Sequence, residues 1–272
     1  SAAAFGKSST NSTEINDKLD LTPTDLTVSY EIIGEAENLT IDVNADRDVE
    51  VRLNGVTITN DSMDCIDIKN KSTAVDNMGN PVTPEVSVSA ISGSENFLTA
   101  TTSGNAIENN CELTLKGHGS LTVRTSSTSI SSEGKINIKN INLDITSSNR
   151  GIDTRSIVTT DVNGVATTIT SFYNIKIGAN ATITIKSADD CIRCKNMEIY
   201  ALEAGTDDVD TVMVLTSTLG DGIQLEGNTG INAQSGNITI RAGKYAFNCS
   251  AALIKVAGAT VDATGNTDYS KP

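Results

Sequence analysis

The chain reads as an all-β fold, a single-stranded parallel β-helix: a solenoid of about 22-residue coils with inserted loops. Three observations predict it. The first is a recurrent step from a small residue to an apolar one, at Cys65-Ile66, Ala106-Ile107, Ser129-Ile130, Gly151-Ile152, Cys191-Ile192, Gly222-Ile223 and Ala246-Phe247. The step recurs after 23 residues from Ile107 to Ile130, 22 from Ile130 to Ile152 and 24 from Ile223 to Phe247; the 40 from Ile152 to Ile192 is one coil plus an insertion. The second is that each period holds short runs of alternating apolar residues, such as Leu113/Leu115 and Leu121/Val123, and no segment sustains a 3.6-residue period. The third is composition. Aromatic residues are 3% of the chain and Trp is absent, so the core must come from Ile, Val, Leu, Ala and Thr methyls, which suits stacked β-branched rows.

A solenoid carries 272 residues as one domain. Residues 1–24, small and polar with Pro23 as a stop, read as an N-terminal tail, and 25–272 as the β-helix domain. Val28, Tyr30 and Ile32 alternate, then Leu39, Ile41 and Val43 after the Gly34 turn, and Val51/Leu53 and Val56/Ile58 bend at Asn54-Gly55. After Ile66 and Ile68 comes an insertion, Lys71–Glu85. A second, Thr154–Ser171, leaves the same corner, so the two are predicted to wall a groove on one face. Ile175/Ile177, Ile183/Ile185 and Ile192 resume the stack; Met197/Ile199 lead into an acidic excursion, Glu203 to Asp210, and the last coils run to Val261. Four residues after the apolar step stand Asn70, Gly134, Asn196 and Gly227, which predicts a column of turns with positive φ.

A formal net charge of −14 and a pI near 4.4 argue against nucleic acid and anionic membrane surfaces, and point to hard cations as well as basic partners. No apolar run reaches the roughly 18 residues of a membrane span. Five cysteines form no dense disulfide framework. Cys191-Ile-Arg-Cys194 lacks a second pair for zinc and a redox-type βαβ context, so buried thiols are the reading. The Ser-Ala-Ala-Ala-Phe-Gly start lacks the basic end and apolar stretch of a signal peptide, as a cytoplasmic start, a processed end or an engineered boundary would. The Ser, Thr and Asn richness favours a secreted or surface protein.

Two residues before each apolar step stand Asp64, Asn105, Thr128, Arg150, Asp190, Asp221 and Tyr245. The register makes Asp190 and Asp221 neighbours in adjacent coils, with Asp189, Asn149 and Asp153 close by. Carboxylates about 5 Å apart repel by a few kcal/mol, about 3 at an effective dielectric near 20. A shared proton would relieve this and make a general acid. Calcium would relieve it through carboxylate, Asn and turn-carbonyl oxygens. A solvated acidic face with wider spacing needs neither.

Asp189-Asp190-Cys191-Ile192 resembles the Asp-Asp-Cys-Ile core of polygalacturonases, which are also parallel β-helices. The other parts of that family's catalytic set do not follow. Ser148-Asn149-Arg150-Gly151-Ile152-Asp153 has Arg150 at the carboxylate position, Gly220-Asp221-Gly222-Ile223 has Asp for His, and no Arg-Ile-Lys comes after it. The single histidine, His118, lies before the Asp pair and reads as a turn residue. A second resemblance covers most of the chain from about Tyr30. Val49-Glu-Val-Arg-Leu-Asn-Gly-Val-Thr-Ile-Thr-Asn60, Cys65-Ile-Asp-Ile-Lys69, Asn105-Ala-Ile107, Gly119-Ser-Leu-Thr-Val123, Asp190-Cys-Ile192 and Gly220-Asp-Gly-Ile223 resemble the bacterial carbohydrate-binding domain-containing proteins. That resemblance implies a right-handed parallel β-helix at the cell surface or secreted, without enzymatic activity, associated with cellulose, acidic plant-wall sugars and calcium. Where family members commonly have Asn-Asp-Gly-Ile, this chain has Asn149-Arg150-Gly151-Ile152. Arg150 is then positioned to pair with Asp190 or to meet a uronate carboxylate.

The resulting expectation is a non-catalytic, extracellular or cell-surface polysaccharide-binding module. Its partner is a cellulose-like or polygalacturonate-like chain, with acidic polymers favoured, and neither nucleic acid nor a transmembrane span is expected. Calcium is expected at Asp189, Asp190 and Asp221, with Asp153 and Asn149 nearby, and sugar contacts at Arg150, Arg193, Tyr200 and Tyr245. Two other readings stand beside it: a pectin-degrading lyase or hydrolase using Asp190 and Asp221 as acid and base, and a structural or adhesive surface β-helix.

Overall fold

The computed structural model describes residues 2–5, 18–23, 28–162, 165–201, 208–249 and 254–266. Among them every regular element is a strand, and the strands form a solenoid of parallel rows. Each later coil lays one short strand in a nine-stranded sheet and two strands in a 17-stranded sheet. The first row, the nine-stranded sheet, runs from Lys18–Leu21 through Ile66–Asn70, Ile107–Asn109, Ile130–Ser132, Ile152–Asp153, Ile192–Cys194 and Ile223–Leu225 to Phe247–Cys249. The second row includes Glu85–Ala90, Glu112–Lys116, Ile136–Ile138, Ile175–Ile177, Met197–Ile199 and Ile231–Ala233. The third includes Glu95–Ala100, Ser120–Thr125, Ile141–Ser147, Ala181–Ser187 and Val212–Ser217. In the first coils the long strands Val28–Glu37 and Val49–Asn60 cross the second and third rows without interruption, with an irregularity between Ile32 and Gly34.

The apolar step sets the register. Ile41, Ile66, Ile107, Ile130, Ile152, Ile192 and Ile223 pair one above the next, and all seven are fully buried. Like side chains stacked at about 4.8 Å pack on one another, and isoleucine fills the column from Ile41 to Ile223, with Leu19 and Phe247 at its ends. Each contributes roughly 1.5–3 kcal/mol on burial, against about 0–1 kcal/mol for an exposed ion pair. The interior columns therefore hold the stack, and the outer faces are free to carry other chemistry.

Within residues 1–24, read as a tether or an ordered tail, Lys18–Leu21 pairs in parallel with Thr40–Val43 as the first strand of the nine-stranded sheet, and Ala2–Phe5 pairs with Glu31–Gly34. One local reading changes. The column Asn70, Gly134, Asn196 and Gly227 is not left-handed; positive φ falls instead at the corner between the second and third rows, at His118 (61°), Asn140 (51°) and Asn180 (56°). There the His118 N–H donates to the Asn140 carbonyl at 2.5 Å, and Asn180 Nδ2 donates to Asn140 Oδ1 at 3.0 Å. His118 is thus a turn residue, as expected. The glycines of the expected column serve close approach between coils: a Cβ on Gly134 would lie 1.9 Å from the Cys111 carbonyl oxygen, and one on Gly227 2.5 Å from that of Lys195. Asn196 serves through its side chain, with Oδ1 accepting from the Thr229 and Gly230 N–H groups at 3.0 and 2.9 Å.

The two insertions do leave one corner, between the first and second rows. Residues 155–172 form an antiparallel hairpin, Arg155–Val162 with Val165–Phe172, and residues 71–84 are held by Asp76, whose carboxylate accepts from Met78 and Asn80. Most of the Glu203–Asp210 excursion lies outside the described residues.

Candidate functional site

The carboxylate column lies at the corner where the third row returns to the first, and its side chains hold neighbouring coils together. Asp190 Oδ1 accepts the backbone N–H of Asp221 at 2.8 Å, and Asp221 Oδ1 accepts that of Tyr245 at 3.1 Å. Asp64 Oδ1 accepts that of Asn105 at 2.6 Å. Each is the column residue of the next coil, so the carboxylate supplies an acceptor that the first-row ladder does not. Asp221 Oδ2 also accepts from Asn248 Nδ2 at 2.6 Å. Burial pushes the Asp190 carboxyl above its ordinary range, against the Asp221 N–H that stabilises the ionised form.

Arg150 takes the middle of this column. Its Nη2 reaches Asp189 Oδ2 at 2.7 Å, its Nε Asp190 Oδ2 at 3.3 Å and its Nη1 Asp153 Oδ2 at 3.5 Å. Asn149 is tied in through the backbone, its carbonyl accepting from the Asp189 N–H at 3.1 Å. Of the five residues expected to hold calcium, the carboxylates of Asp153, Asp189 and Asp190 converge, but around a guanidinium; Asn149 joins them only through its backbone, and Asp221 turns to the Tyr245 N–H and Asn248. That arrangement does not fit calcium: one oxygen each of Asp190 and Asp221 is committed to a backbone N–H, and the remaining Asp190 oxygen faces a fixed positive charge. Among the described residues no group of three or more acidic, His or Cys side chains is arranged to hold a metal.

The sugar contacts expected from sequence do not form one site. Arg193, on the outer side of the first row, stacks on Phe172 of the hairpin with its guanidinium carbon 4.7 Å from the ring centroid, and pairs with Glu226 at 2.8 Å. Tyr245 is half-buried in the carboxylate column, one coil beyond Asp221. Tyr200 lies elsewhere, on the second-row face.

That second-row face carries recesses that sequence reasoning missed. One is lined by Ser29, Glu50, Glu85, Ser87 and Lys116. The next, about 380 Å³, shares Glu85 and adds Thr114, Asn137, Lys139, Lys176 and Tyr200. A third shares Lys176 and continues through Asn196, Glu198, Thr229 and Asn232. The outward positions come from strict alternation: in Ile136-Asn137-Ile138, Ile175-Lys176-Ile177, Met197-Glu198-Ile199 and Ile231-Asn232-Ala233 the flanking residues are buried and the middle one faces out. Register then sets Thr114, Asn137, Lys176, Glu198 and Asn232 in a single line along the stack. The alternation is legible in the sequence; the line is not, because its outward positions mix Thr, Asn, Lys and Glu and carry no period.

Within the line, Lys176 Nζ lies 5.4 Å from the Tyr200 ring centroid, and Tyr200 raises the lysine above its ordinary pKa. Thr114 Oγ1 donates to Glu85 at 2.7 Å, and Lys116 pairs with Glu50 at 3.3 Å. Asn232 Oδ1 is buried without a hydrogen-bond partner among the described residues. Among those residues no helix is long and apolar enough to cross a membrane.

No curated protein and no solved structure matches the chain significantly. Residues 18–270 match the family described as carbohydrate-binding domain-containing protein, which supports a polysaccharide as the partner, and with nearly its whole length matched the chain belongs to that family.

Proposed function

We propose that the protein is a non-catalytic module that binds a linear, uronate-bearing polysaccharide along the second-row face, parallel to the solenoid axis. The observation that carries this is the continuity of the recesses. They share Glu85 and Lys176, and their lining runs from Ser29 to Asn232. Eight strands are crossed, so the face extends about 34 Å at about 4.8 Å per step, a length that suits several sugars of an extended chain. Half-buried polar side chains at one residue per coil, Asn137, Lys176, Glu198 and Asn232, match a ligand with hydroxyls at regular intervals.

The preference for acidic sugars rests on the central recess. Among the described residues neither Lys139 nor Lys176 forms a salt bridge, and both line the recess beside Tyr200. Two ammonium groups offer a uronate carboxylate charge-assisted hydrogen bonds, and the Tyr200 ring offers an apolar surface to a sugar. The lysines meet the ligand directly, so they replace the bridging calcium expected from sequence. The pectin-degrading reading loses support because Asp190 and Asp221, its acid and base, are both occupied by backbone donors. We read the solenoid as a right-handed parallel β-helix, the hand that parallel crossovers almost always take, and its setting as extracellular or cell-surface, where such polymers occur.

Calorimetric titration with polygalacturonate and with a neutral glucan, each with and without chelator, tests the reading. Polygalacturonate binding that survives chelation and weakens with salt supports it. Retention of no glycan would favour the adhesive reading, and sugar release would return the enzyme reading.

A further inference from the structure

We infer that Arg150 is a built-in counter-ion that does at the carboxylate column what a bound divalent cation would do, so that this part of the stack needs no metal. The guanidinium spans two coils: Arg150 and Asp153 flank one apolar step, Asp189 and Asp190 precede the next. Its three nitrogens each address a different carboxylate, at 2.7 Å for Asp189, 3.3 Å for Asp190 and 3.5 Å for Asp153. The Arg150 side chain is 19% exposed, and those of Asp153 and Asp190 only 6% and 5%. Asp189, at 35%, opens to solvent. Two buried carboxylates with a third at their rim, converging from two coils, need compensation. Arg150 reaches all three, and Arg155 adds a weaker contact to Asp153 at 3.8 Å. A calcium ion placed there would have to displace a fixed positive charge. The same geometry implies that removing the guanidinium uncovers a set of oxygens that a hard cation will accept.

This inference is independent of where the polysaccharide binds, and it is tested by thermal unfolding of wild type, Arg150→Gln, Arg150→Lys and the double variant Arg150→Gln/Asp189→Asn, each in chelator and in millimolar calcium. Wild type is expected to melt at the same temperature in both. Arg150→Gln is expected to melt about 5 °C or more lower in chelator and to recover part of that loss with calcium. The double variant should lose the calcium recovery, which places the uncovered site at the column. Arg150→Lys, which keeps the charge but not the three-way fork, should fall between and show little recovery. If Arg150→Gln does not fold, the lysine variant carries the test: a loss of stability without calcium response supports the inference. Calcium stabilisation of the wild type that Asp189→Asn abolishes would overturn it, as would an Arg150→Gln variant as stable as wild type in chelator.

Discussion

The side-chain amide of Asn105 donates a 2.7 Å hydrogen bond to Glu108 Oε2, holding a carboxyl that stands in the outward line of the first row between Asp67 and Ser131. Burial raises the Glu108 pKa from 4.5 to about 7, with Asp64 and Glu133 adding repulsion and Ser131 and Asn105 opposing it. Folding therefore favours the protonated acid.

The sign of the pH dependence follows. Stability from this group is complete below pH 4.5 and is lost as pH rises through about 7. A change on the order of 2 kcal/mol is expected, less than the full shift implies because the site is partly open to water. Glu108→Gln keeps an acceptor for Asn105 and removes the charge, so it should raise the unfolding midpoint at pH 8 and leave it nearly unchanged at pH 4.5. Denaturant titrations at the two pH values check this; an equal effect at both would rule out ionisation as the cause.

Asp190 separates two roles of a column carboxylate. Asp190→Ala removes the acceptor of the Asp221 N–H and one of the three partners of Arg150. A loss of about 1–3 kcal/mol is expected from the buried N–H alone. Asp190→Asn keeps an oxygen for that N–H and should cost distinctly less. Equal losses in the two variants, measured by equilibrium unfolding, would mean that charge pairing and not the inter-coil hydrogen bond is what matters there.

Gly151 shows what a one-residue step permits. A Cβ there would lie 2.4 Å from Ile185 Cγ2 and 2.5 Å from the Cys191 carbonyl oxygen, so both the core column and the next coil would have to move. Gly151→Ala is expected to destabilise by about 1–3 kcal/mol, read as a shift of the denaturant midpoint with an unchanged slope.

How far the sequence carried the reading depends on which side of a strand a residue faces. Ile66 to Ile223 announced the register because inward side chains stack on their own kind and the period is written in apolar letters. Asp190 beside Asp221 followed from that register, as did the corner shared by the insertions 71–84 and 155–172. What did not follow was the partner of each carboxylate: whether Asp190 meets an ion, a proton or a backbone N–H depends on ångström-scale offsets between coils. The glycines misled for a related reason, since Gly134 answers to the Cys111 carbonyl in the coil below and not to its own φ. Thr114, Asn137 and Lys176 were hidden because outward columns mix residue types and carry no period.

The thiols give an independent check on the packing. Burial pushes Cys65 and Cys111 up to about 12 and Cys191 to about 11, and raises Cys194 as well. Cys249 is only half-buried. In native protein at pH 8 a thiol reagent should modify Cys249 first and leave the other four silent, whereas all five react in denaturant. Rapid native reaction at Cys191 or Cys194 would mean that the stack opens at the carboxylate column.

The central recess allows the two parts of ligand recognition to be separated. Lys176 supplies charge and Tyr200 an aromatic surface, and the 5.4 Å contact means that a ligand must share the ring with the lysine or move it aside. Lys176→Gln should weaken polygalacturonate binding about tenfold, the equivalent of roughly 1.4 kcal/mol, and should flatten its salt dependence because one ammonium–carboxylate contact is gone. Tyr200→Ala should weaken acidic and neutral chains by similar factors and leave the salt dependence intact. Lys139→Gln, at the other side of the recess, should repeat the Lys176 result at smaller size because Lys139 is more exposed. Calorimetric titrations at two ionic strengths read all three. Should Arg193→Gln, on the first-row face, be the variant that abolishes binding while Lys176→Gln does nothing, the polysaccharide lies on the hairpin side of the solenoid and not along the second row.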